Sequence, residues 1–83
     1  MGKKFLIDSN ITPEIRNIEF LNSSIMFVHL TNERTFIVPL DQFPDIKALS
    51  SEQKKDFEII DGTNLSFLAL DEVYSLADLI GLE

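Results

Sequence analysis

The sequence contains no cysteine and no tryptophan, a single histidine, a single tyrosine and only three glycines. Each scarcity removes a class of chemistry. Without cysteine there is no disulfide, no thiolate zinc site and no cysteine nucleophile, a usage that suits a reducing compartment. A cytoplasmic location is therefore expected. One imidazole, His29, cannot build a His-rich or Cys/His metal site. Glycine stands only at positions 2, 62 and 81, so no Gly-rich loop is available to cradle a phosphate. No apolar run approaches the roughly 20 residues that span a bilayer, and MGKKFLIDSN lacks the apolar stretch and cleavage site of a secretory signal. Leu6 stands where a myristoylation signal carries Ser or Thr, so no membrane association is expected.

Positive charge is missing from the last third of the chain. Residues 1–55 hold all seven bases and seven acids, which cancel, whereas residues 56–83 hold seven acids and no base, so the net charge of −7 lies entirely there. A field of that sign repels phosphate backbones and attracts cations. Direct binding of nucleic acid is not expected, and a basic protein partner is.

With 83 residues, of which 45% are hydrophobic and 25% charged, the chain has the composition of one small globular domain. EIRNIEFL (14–21) alternates as a half-buried strand does, with Ile18 and Phe20 on one side and Asn17 and Glu19 on the other. After the turn signal Asn22-Ser23, the apolar run IMFVHL (25–30) predicts a central strand covered on both faces. In the hairpin that follows, Asn32 is expected to take the positive φ, and TFIVPL (35–40) should end at Pro39 or lie on an edge. Ser50 and Gln53 have capping-box spacing and predict a two-turn helix over about 51–56. FEII, Asp61-Gly62 and LSFL read as a second hairpin. Ser75 with Asp78 repeats the capping spacing ahead of Leu76, Leu79 and Ile80, and Gly81 is placed to stop that helix. The expected fold is α+β: a small, mostly antiparallel sheet of about five strands, including two hairpins, with one or two short helices. Residues 14–83 form the domain, and 1–13 are set apart as an N-terminal segment that need not be ordered.

These elements resemble, in order and spacing, the small bacterial family called domain of unknown function 2442. The matching residues are Val38-Pro39-Leu40, Phe43-Pro44, Ser51-Glu52-Gln53, Phe57-Glu58-Ile59, Asp61-Gly62, Leu70-Asp71-Glu72, Ser75 and Leu79-Ile80, so the likeness runs from about Glu14 to Leu82. Two departures are that the family usually has Trp where this chain has Phe67, and a glycine-bearing turn where it has Asn32-Glu33. The resemblance implies an antiparallel α+β fold and assigns no catalytic residue. It also implies two settings: some relatives look like the N-terminal half of proteins with a helix-turn-helix domain, and small members often stand beside another small family, domain of unknown function 4160, in what looks like a toxin–antitoxin arrangement.

Catalysis requires a nucleophile, a base and an oxyanion donor in one place. None of these can be assembled from the pattern, so the protein is expected not to be an enzyme and no cofactor is implied. His29 lies inside an apolar run and is read as structural. Asp71 and Glu72 are adjacent on an extended segment, so their carboxylates diverge and do not form a metal site. The closing stretch FLALDEVYSLADLIGLE divides in two. Phe67, Leu76, Leu79 and Ile80 belong to the core. Tyr74, ringed by Asp71, Glu72 and Asp78, is either an exposed centre of a partner-binding patch or a ring lying over the sheet with its hydroxyl in water. The function expected is a protein-interaction module, antitoxin-like or regulatory, for a basic partner; the alternative is a ligand-sensing or accessory domain of a transcription regulator. A homo-oligomer is compatible with either.

Overall fold

The computed structural model describes residues 13–81, so the N-terminal segment, apart from Pro13, lies outside the described residues. Among the described residues six strands form two three-stranded antiparallel sheets, each with its strands in chain order. The first holds β1 (Ile15–Phe20), β2 (Ile25–Leu30) and β3 (Thr35–Pro39). The second holds β4 (Phe57–Ile60), β5 (Asn64–Phe67) and β6 (Val73–Ser75). Between the sheets the chain makes one 3₁₀ turn (Leu40–Gln42) and two short helices, α1 (Pro44–Lys47) and α2 (Ser51–Lys55); α3 (Leu76–Ile80) closes the fold. No helix among the described residues is long and apolar enough to cross a membrane.

The α+β class is as expected, whereas a single sheet of about five strands is not. The extra strand is β6, three residues long, too short for its alternation to register in a sequence window. One or two helices were expected; α1, opened by Pro44 at its first turn, escaped notice because four residues carry no helical period.

In the first sheet, cross-strand register aligns Ile18 with Val28 and Phe36, and Phe20 with Met26 and Val38, on the inner face. Central β2 is covered on one face only: Met26, Val28 and Leu30 are buried, while Ile25, Phe27 and His29 on the other side are half-buried. A chain this short does not have the material to cover both faces of two sheets. The Asn22 side chain accepts N–H bonds from Ser24 and Ile25 at 2.8 and 3.0 Å and shapes the first turn. In the second turn the positive φ falls on Glu33 (72°), not on Asn32. Asn32 instead accepts the Arg34 N–H through its side chain at 3.1 Å. The three-residue loop between Leu30 and Arg34, whose backbones are bonded at 2.8 Å, needs its left-handed residue in third place.

The second hairpin turns at Asp61 (φ 54°) and Gly62 (φ 78°). The Gly62 carbonyl accepts the Ile15 N–H at 2.7 Å, tying this turn to the start of β1. There the β1–β2 register slips by one, leaving Arg16 without an opposite residue on β2. Both capping boxes are present: Ser50 with Gln53 opens α2 and Ser75 with Asp78 opens α3. Gly81, left-handed at φ 78°, ends α3.

A single apolar cluster unites the two sheets. Phe67 is fully buried at its centre, with its ring 6.3 Å from Phe20 of the first sheet and 6.3 Å from Phe57 of the second. Leu40 from the 3₁₀ turn and Ile46 from α1 are fully buried in the same cluster.

Candidate functional site

The acidic end of the chain is organised by β6. Its alternation sends Val73 outward, 54% exposed, and Tyr74 inward opposite Leu65, 7% exposed. An exposed tyrosine inside an acidic rim is therefore corrected: Tyr74 belongs to the core face of the second sheet, and its ring meets Phe43 edge to face at 5.8 Å. The hydroxyl is not left to water either, since it donates to Glu72 Oε1 at 3.1 Å. Burial, that hydrogen bond and the negative charges of Glu72 and Asp45 together push the phenol up to about 12. All of these act in the same direction, because each disfavours the phenolate.

Over this pair lies a cleft of about 340 Å³ whose wall includes Gln42, Asp45, Glu72, Val73 and Asp78 around the Phe43 and Tyr74 rings. Its three carboxylates come from separate places: Asp45 from α1, Glu72 from the approach to β6, and Asp78 from α3, where it also accepts the Ser75 N–H at 3.3 Å. No base lines the wall, and the nearest candidate in sequence, Lys47, is paired with Asp41. Of the four residues singled out from sequence, Glu72, Tyr74 and Asp78 meet here, while exposed Asp71 is outside the wall. Asp45 was missed. It is distant along the chain, and only the folding of α1 against β6 brings it in.

His29 sits on the outer face of the first sheet, where neighbouring strands supply partners that no local pattern showed. Its Nε2 lies 2.6 Å from Glu19 Oε1 and its Nδ1 lies 2.8 Å from Thr35 Oγ1. Both ring nitrogens are engaged, which is an orienting role. Among the described residues no three His, Cys, Asp or Glu side chains converge as metal ligands.

A second concavity is larger and apolar. About 580 Å³ in volume, it is lined by the Leu30–Phe36 end of the first sheet, by Pro13 and Thr63 and by α3, with Arg34 the sole charged side chain in its wall.

The profile of the family described as protein of unknown function (DUF2442) matches residues 15–83, and the chain belongs to that family. No protein of curated function and no solved structure matches the chain.

Proposed function

We propose that this chain is a non-enzymatic protein-interaction module, antitoxin-like or regulatory, which receives a basic partner at the Asp45–Glu72–Asp78 cleft. The supporting observation is that three carboxylates from three separate segments share one wall in which no base stands. A wall whose charges are all of one sign attracts a cationic side chain. The Phe43–Tyr74 pair forms an aromatic floor, against which the aliphatic stem of a Lys or Arg side chain can pack. Tyr74 supports the cleft from beneath and holds Glu72 in place through its hydroxyl.

The test is to titrate the isotope-labelled chain with the product of the neighbouring gene and follow its amide shifts. Residues 42–45 and 72–78 should move first and furthest. A footprint confined to the outer face of the first sheet would contradict this placement.

The second reading, a ligand-sensing or accessory domain of a transcription regulator, is favoured by the apolar groove beside α3, whose volume falls within the roughly 300–1,000 Å³ common for small-molecule sites.

A further inference from the structure

The groove beside α3 has an unusual balance of groups. Leu30 and Phe36 from the first sheet face Leu76, Ala77 and Ile80 across it. Three of its polar atoms are already engaged within the fold. The Asn32 side chain accepts the Arg34 N–H at 3.1 Å, Ser75 Oγ accepts the Asp78 N–H at 3.0 Å, and the Thr63 carbonyl accepts the Leu76 N–H at 2.8 Å. Arg34 is the exception. It is the only charged residue in the wall, and its guanidinium has no carboxylate partner among the described residues. Neighbouring Glu33 is paired instead with Arg16, at 3.3 Å. The groove therefore offers an apolar trough with one fork-shaped donor that no carboxylate among the described residues pairs.

We propose that this groove binds an amphiphilic carboxylate, its apolar chain lying between α3 and the first sheet and its carboxylate held by Arg34. The inference rests on the ligand-sensing reading and names the ligand class. A guanidinium matches a carboxylate in bidentate geometry, while the wall supplies burial at about 25 cal/mol per Å² of apolar surface removed from water. The protein's net charge of −7 opposes anions in general, but charges beyond about 8 Å are largely screened at physiological salt. Arg34 is the one charge that stands in the wall itself. A fatty acid and the carboxyl end of an apolar peptide present the same chemistry, and separate probes distinguish them.

The experiment follows amide shifts of the full chain with octanoate, octanol and a short apolar peptide with a free carboxyl end. Octanoate should bind saturably and at least tenfold tighter than octanol, moving residues 30–36 and 75–80. Arg34→Gln should erase that preference while leaving octanol affinity unchanged, and Ala77→Trp should block both ligands by filling the trough. Tighter binding of the peptide than of octanoate would assign the natural ligand to a peptide end, and the reverse to a fatty acid; either supports the proposal. Equal affinity for octanoate and octanol would overturn the carboxylate class while leaving a pocket. Absence of saturable binding by all three probes, or shifts outside the groove, would overturn the pocket as well.

Discussion

Phe67 links the two sheets, because its fully buried ring lies beside an aromatic from each of them. Truncating it leaves a cavity between layers that are joined through it, so Phe67→Ala should cost about 3–5 kcal/mol by chemical denaturation, a large share of a small domain's stability. A loss under about 1 kcal/mol would remove it from that role. Glu33 is the opposite case, a residue in a conformation that suits it poorly, at φ 72°. A left-handed non-glycine residue costs about 1–2 kcal/mol, whereas its exposed pairing with Arg16 contributes under about 1 kcal/mol. Glu33→Gly should therefore raise stability by about 0.5–1 kcal/mol, seen as a higher denaturation midpoint at unchanged slope. At Gly62 the same conformation (φ 78°) is met by the residue that adopts it freely.

Tyr74 adds a prediction in pH. Its phenol is raised to about 12 from an ordinary value near 10, so the native state holds a proton that the unfolded chain releases between those values. Stability contributed by this group is thus fully present below about pH 10 and falls as pH rises toward 12, at no more than roughly 1.4 kcal/mol per pH unit. Because the chain has one tyrosine and no tryptophan, near-ultraviolet phenolate absorbance reports Tyr74 alone. The titration should run well above that of free tyrosine, and Glu72→Gln should lower it without restoring the ordinary value, since burial is the largest cause.

At the scale of elements, what could be read from sequence was what local chemistry decides. Both capping boxes, the Asp61-Gly62 turn and the Gly81 stop involve residues within four positions of each other, and all are found. The inward stripe of β1 is likewise legible from alternation. The misses share another cause. β6 exists because β5 offers it an edge, aligning Leu65 with Tyr74 and Ser66 with Val73, and nothing in VYS alone announces a strand. That missing strand is why sequence leaves Tyr74 between an exposed setting and one over the sheet: without β6 there is no alternation to send it inward. Asp45 could not be placed in the cleft for a similar reason, as its position depends on how α1 packs. Glu33 shows a subtler failure, in which the turn residue with the better left-handed propensity, Asn32, was not at the position the loop length requires.

At the scale of the molecule, two small sheets are joined by one apolar cluster and by the Ile15–Gly62 hydrogen bond. Of the seven acids in the last third, the fold brings two, Glu72 and Asp78, together with Asp45 from α1 in one cleft. The central claim is that this placement, and not net charge alone, receives a basic partner. The direct test is association kinetics with the neighbouring gene's product at low and high salt. It compares wild type with an Asp45→Asn, Glu72→Gln, Asp78→Asn variant and a control, Glu52→Gln, Asp56→Asn, Glu58→Gln, that alters net charge equally. Steering by charges acts over about 8–10 Å under ordinary buffer conditions. The cleft variant should therefore associate several-fold more slowly at low salt, and the three proteins should converge at high salt while the control stays close to wild type throughout. Equal slowing in both variants, or in neither, would contradict the account.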